Sequence, residues 1–156
     1  MFFGLIRPYK GLHVLLEALA KLPEDHVLVV AGECYGPWEP YAQLIAKHGL
    51  AQRVVVHNEF IDDRDVPVYF AAADNLVLPY VEASQSGVTA LALHHKRKVI
   101  ASDVGDLSNS IVPELTGRLV RPNDISALSE AMSKPWLAQS SDIDAAFKQI
   151  KKRLSW

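Results

Sequence analysis

The sequence predicts an α/β fold: a doubly wound parallel sheet of the Rossmann-like type. Three observations predict it. Short apolar runs rich in β-branched residues recur along the chain, separated by stretches with helical periodicity. The runs are nearly continuous rather than alternating, as in strands covered on both faces. Gly, Pro, Asp, Asn and Ser concentrate just after the runs, where such a sheet carries its ligand-binding loops.

In chain order, the runs predict strands over residues 2–6, 27–31, 53–57, 75–78 and 98–102, with 118–120 as a short edge strand. Leu12, Leu15, Leu16 and Leu19 follow the spacing of one helical face after the first strand. Pro67 suits the first turn of a helix over 66–73, where its missing N–H is no loss. Val88, Leu91, Ala92 and His95 mark a helix after the fourth strand, and Ile125, Leu128 and Met132 one after the sixth. Ile143, Phe147, Ile150 and Leu154 share a side of a final helix over 141–154, with Ser141 and Asp144 at capping-box spacing. Its basic end, from Lys148 to Arg153, complements the helix dipole.

At 156 residues the chain is long enough for one domain with a real core. Residues 1–156 are read as a single domain, with no internal repeat. A strand opening at the second residue predicts a chain cut from a longer protein. A net charge of −2 offers no general attraction to nucleic acid or anionic lipid. The one cysteine, Cys34, cannot form an internal disulfide, which fits a reducing cytoplasm. No apolar run approaches the roughly 20 residues of a membrane span. The histidines are scattered, and the adjacent pair His94 and His95 point in different directions on a helix, so no metal site is expected. There is no Walker loop, and no Gly-x-Gly-x-x-Gly follows the first strand, which disfavours a nicotinamide-dependent epimerase.

Two loops suit an anion. After the first strand, Gly4 to Gly11 carries Arg7, a bidentate fork, and Lys10, a point charge. After the fourth, Glu82 precedes Ser84, Gln85, Ser86 and Gly87, which open an apolar helix whose free N–H groups face the strand end. Glu82 can accept hydrogen bonds from vicinal sugar hydroxyls, and Gly87 permits close approach. Solvated cations at Arg7 and Lys10, an exposed acid at Glu82 and a plain N-cap at Ser84 fit the same residues. Together the loops suggest a ligand bearing phosphate and sugar hydroxyls.

Over residues 2–132 the chain resembles the C-terminal, donor-binding domain of GT-B retaining glycosyltransferases of group 1, family 4. The resemblance rests on Phe3-Gly4 with Lys10-Gly11, Val29-Val30-Ala31-Gly32, Tyr69 to Asp74, Val77-Leu78-Pro79-Tyr80, Val99 to Gly105, and Leu115 to Asp124. It implies that a nucleotide diphosphate sugar is the donor and that Lys10 holds the diphosphate. Arg7 stands in for an arginine that the family places where Leu5 lies. Glu82 matches the first of two family glutamates. The second position is Ala90, so Gln85 or Thr89 is expected to take the ribose contact. The segment 58–62 matches the wall around the base, which makes Asn58 and Ile61 candidates beside Gly4 and Gly32. No metal is expected. The acceptor, a sugar, lipid or glycan, is assigned to an N-terminal domain absent from this chain. The full-length protein is expected in the cytoplasm, peripheral at the membrane for a lipid-linked acceptor. The rival reading is a module of the same fold that keeps nucleotide or protein contacts without catalysis.

Overall fold

The structure is a computed structural model that describes residues 1–83 and 86–154. Six short parallel strands form its centre: β1 (Phe2–Phe3), β2 (Leu28–Ala31), β3 (Val54–His57), β4 (Asn75–Leu78), β5 (Lys98–Ser102) and β6 (Gly117–Val120). They pair as two ladders, β1-β2-β3 and β4-β5-β6. Met1 joins the ladders: its amine donates to the Asn75 carbonyl at 2.8 Å, and the Val77 N–H donates to the Met1 carbonyl at 2.9 Å. The order across the whole is therefore β3-β2-β1-β4-β5-β6, which reverses between β1 and β4. Four helices join successive strands, α1 (Leu12–Ala20), α2 (Glu39–Lys47), α3 (Val66–Ala72) and α4 (Gly87–His94), and two more, α5 (Ile125–Ser133) and α6 (Ser140–Arg153), follow β6.

The continuous apolar runs arise because successive strand residues serve opposite cores. Phe2, Leu28, Val30, Val77 and Ile100 pack with Leu12, Leu15, Leu16 and Leu19 of α1 and Leu128 of α5. Phe3, Ala31, Leu76, Leu78, Val99 and Ala101 face the other way, onto Phe70 of α3 and Val88 and Ala92 of α4. Phe3 meets Phe70 edge-to-face, centroids 5.2 Å apart, a geometry that adds to simple burial.

Several boundaries differ from the sequence reading. β1 stops at Phe3 because Gly4 turns the chain at φ 110°, and Ile6 keeps only an isolated bridge to Cys34. β3 is an edge strand, with Val55 44% exposed, so its apolar run is not covered on both faces. Helix α2 has no counterpart in that reading. It buries only Tyr41, and its sequence mark is a proline in the first turn. On α4, Thr89 and Leu93 are buried beside Val88 and Ala92, while Leu91 and His95 are only partly covered. The capping box at Ser141 does not form. Helix α6 starts one residue earlier, and Asp144 lies 3.5 Å from Lys96 Nζ.

Polar pinning secures the helix ends. Arg53 donates to the carbonyls of Leu19, Leu22, Pro23 and His26, and so fixes the turn from α1 to β2. Arg118 is buried. It donates to the carbonyls of Ala131, Lys134 and Pro135, holds both oxygens of Glu114 through Nε and Nη2, and lies 3.7 Å over the Trp136 ring. Removing it would leave the carbonyls of Ala131, Lys134 and Pro135 without their donor at the end of α5. Arg118→Ala should lower the unfolding free energy by about 3 kcal/mol. Arg118→Lys should recover little of it, because a point charge cannot satisfy the fork. Urea titration of the three chains checks this.

Candidate functional site

Residues of the first loop meet those of the fourth where the strand order reverses. Two glycines make the approach possible. A Cβ on Gly32 would lie 1.8 Å from the Gly4 carbonyl oxygen, so the loop after β2 runs against the loop after β1. Gly11 adopts φ 74°, and a Cβ there would lie 1.8 Å from the Pro79 carbonyl oxygen. The first loop is thus wedged against the end of β4. Two backbone bonds complete the clamp: Gly4 N–H to the Ala31 carbonyl at 2.9 Å, and Val81 N–H to the Tyr9 carbonyl at 2.8 Å.

Lys10 ends a single 3-10 turn, Pro8–Lys10. Its Nζ lies 5.7 Å from the Tyr80 ring centre and 3.9 Å from where a Gly4 side chain would begin. Among the described residues it has no carboxylate within ion-pair distance and no side-chain hydrogen bond. Burial, and then the charge of Arg7, hold it below the ordinary lysine range. Arg7 itself is exposed and stacks 4.7 Å over the Tyr35 ring on the loop after β2.

Helix α4 points its N-terminus at the same place. Ser86 is its N-cap, with Oγ accepting from the Val88 N–H at 3.2 Å. Tyr80 is 2% exposed, and its hydroxyl lies 3.2 Å from that Oγ. Val88 also faces Gly4, with Cγ2 3.3 Å from a Cβ built there. Gly87 behaves differently from the other site glycines: nothing lies within 4 Å of a Cβ built on it. Its missing side chain therefore serves no internal contact.

The other candidates fall into place around this centre. Glu82 is exposed on the same loop and has no hydrogen bond or ion pair among the described residues. Ser84 and Gln85 lie outside the described residues; the cap expected at Ser84 is made by Ser86. Thr89 is buried, and its hydroxyl donates to the Ser86 carbonyl at 2.7 Å, so it braces the cap from behind. Asn58 Oδ1 accepts from the Cys34 N–H at 2.8 Å, which ties the loops after β2 and β3. Ile61 is buried in the core shared with Phe3 and Phe70 and forms part of a wall. The Gly4 contact accounts for the missing side chain at Gly32. Tyr80 is the residue that sequence reasoning passed over: it links Lys10 to the cap. Its signal was an aromatic two residues past an apolar strand, six before a serine. Among the described residues no group of three His, Cys, Asp or Glu side chains is placed to hold a metal ion. Nor is any helix long and apolar enough to cross a membrane.

Residues 1–136 match the family model for glycosyl transferases group 1. The chain belongs to that family. It is 32% identical over 142 residues to O-antigen chain mannosyltransferase C of Escherichia coli, covering 87% of this chain and 36% of that protein. The chain thus spans about a third of the length of the curated relatives it matches. Its fold is that of the corresponding part of sucrose-phosphate synthase from Thermosynechococcus elongatus: TM-score 0.79, 27% identity, 99% of this chain and 40% of that one. The C-terminal domain of a group 1 glycosyl transferase, LpcC from Francisella tularensis, superposes with TM-score 0.77 at 22% identity, over 99% of this chain and 82% of that one. The Rossmann-like, GT-B type of fold expected from the sequence is therefore the fold of this glycosyltransferase domain.

The clamp makes a direct prediction. Gly11→Ala places a Cβ inside van der Waals contact with Pro79 and forces a residue with a side chain into positive φ. It should cost at least about 2 kcal/mol, whereas Gly87→Ala should be neutral or slightly stabilising. Thermal denaturation of the two variants measures the contrast.

Proposed function

We propose that this chain is the donor-binding domain of a family-4 retaining glycosyltransferase, taking a nucleotide diphosphate sugar without a metal ion. One observation carries the proposal. A half-buried lysine with no carboxylate beside it among the described residues faces the capped N-terminus of α4 at the point where the strand order reverses. An anion seated there would relieve the desolvated ammonium and meet the free N–H groups of the helix start. The bare Gly87 leaves room for a ligand to come close. Its membership of a family of glycosyl transferases, and its likeness to a mannosyltransferase, support a phosphate-linked sugar as that ligand.

In this reading the diphosphate lies between Lys10 and Ser86–Gly87, and Arg7 adds long-range attraction from its perch on Tyr35. Glu82 accepts from hydroxyls of the donor sugar. The backbone of the segment 58–62 borders the base, while Asn58 holds that segment in place. Ribose contact falls to Gln85, since Thr89 is already engaged. As the bond to the sugar breaks, negative charge grows on the leaving diphosphate. Lys10 and the helix start are already in position to stabilise it, which is the cheapest form of electrostatic catalysis. The sugar passes with retention to an acceptor (a sugar, lipid or glycan) held by an N-terminal domain outside this chain. Alone, the chain binds donor weakly and transfers negligibly. The reaction is placed in the cytoplasm, at the membrane surface if the acceptor is lipid-linked.

Ala90, half-buried on α4 where the family has its second glutamate, favours one rival: a module that binds without catalysing. Calorimetric titration with UDP, GDP and ADP, with and without chelator, separates the readings. Donor-domain function predicts one preferred nucleotide, indifference to chelator, at least a tenfold loss for Lys10→Ala and a several-fold loss for Gly87→Ala with the fold intact. Affinity unchanged in Lys10→Ala would favour the binding-only module.

A further inference from the structure

The loops after β1 and β2 run side by side beyond the sheet. The isolated parallel bridge between Ile6 and Cys34 puts the next two residues, Arg7 and Tyr35, abreast. Both backbones are fixed there. Pro8 confines Arg7 to an extended conformation, φ -136° and ψ 156°. The Tyr35 N–H donates to the Ile6 carbonyl at 3.0 Å, and the Ile6 N–H to the Glu33 carbonyl at 2.9 Å. The Cys34 N–H, one residue before Tyr35, is held by Asn58 Oδ1 at 2.8 Å.

Only the side chains are left to settle, and they settle on each other. The Arg7 guanidinium lies 4.7 Å from the centre of the Tyr35 ring. Among the described residues Arg7 has no carboxylate within ion-pair distance and no side-chain hydrogen bond. Tyr35 is 51% exposed and belongs to none of the apolar cores, so core packing does not account for its ring. An exposed arginine otherwise samples many rotamers, and that freedom is lost when it meets an anion. Stacked on a pinned ring, the guanidinium is placed before any ligand arrives. It is also close enough for Lys10 to feel it. After burial, the charge of Arg7 is the second cause that keeps Lys10 below the ordinary lysine range. Two like charges held together in this way favour an anion beside them.

We propose that Tyr35 is a positioning residue of the anion site: it holds the Arg7 guanidinium near Lys10, so that the loop after β2 sets the second positive charge a diphosphate meets. Tyr35 acts through Arg7 and does not touch the ligand. That the anion is a diphosphate rests on the donor-binding reading; the placing of Arg7 rests on the two loops alone.

The test titrates inorganic pyrophosphate, and whichever of UDP, GDP and ADP binds tightest, into the chain and its variants. Tyr35→Ala should bind both probes about threefold more weakly. Tyr35→Phe keeps the ring and should match the unsubstituted chain. Arg7→Ala should lose at least about fivefold, and Tyr35→Ala added to it should remove nothing further. In the unliganded chain, the Lys10 side-chain resonance should titrate at higher pH in Tyr35→Ala and in Arg7→Ala, but not in Tyr35→Phe. Unchanged affinity in Tyr35→Ala, or a further loss in the double variant, would overturn the proposal. So would a loss seen with the nucleotide and not with pyrophosphate, since Tyr35 would then touch the base. Lys10→Ala separates this role from the site itself. If it weakens binding while Tyr35→Ala does not, Tyr35 is idle and the donor site stands. If neither matters, both readings fall.

Discussion

The contact between Gly11 and Pro79 is the constraint on which the site depends. Backbone touches backbone there, closer than any side chain would allow, and the loop after β1 is thereby wedged against the end of β4. Gly32 does the same on the other flank, against Gly4. With the loop trapped from both sides, the Lys10 backbone is fixed and its ammonium lies half-buried beside Tyr80. The result is a cation held partly out of solvent, over an aromatic ring, facing a helix N-terminus. Such an arrangement costs stability when empty and returns it when an anion arrives.

Tyr80 converts that wedge into a single unit. It is fully buried, it lies under Lys10, and its hydroxyl reaches the serine that caps α4. The cation and the helix start are therefore coupled through one side chain rather than positioned separately. In the proposed reaction, whose developing charge sits on phosphate oxygens, preorganisation of this kind is what stabilises that charge.

Much of the fold was legible because the sheet is buried on two faces. Continuous apolar runs and helical periodicity located all six strands and five of the six helices. The failures have physical causes. Helix α2 does carry the spacing, in Tyr41, Leu44 and Ile45, but only Tyr41 is buried while Leu44 and Ile45 pack half-covered on the α1 core, and so short a stripe among polar residues was passed over. β3 reads as a core strand, but its position at the sheet edge is a tertiary fact that no local pattern encodes. The site was legible as two loops and a lysine, since charge and glycine content mark them. Which serine caps α4, and that the Thr89 hydroxyl is already committed, depends on a helix start fixed by Tyr80. Gly32 was read as a ligand contact, although the nearest atom is in Gly4. A glycine's neighbour cannot be named from sequence.

The central claim is that the ligand binds at the reversal point, between Lys10 and the start of α4. Amide chemical-shift mapping of the chain during titration with UDP, GDP and ADP tests it most directly. The account predicts that the preferred nucleotide shifts Gly4, Lys10, Gly87 and Val88 together, and leaves Val29 of β2 and Asn75 of β4 unmoved. Shifts confined to Val29, Asn75 and their neighbours, with Lys10 and Gly87 unchanged at saturation, would contradict it.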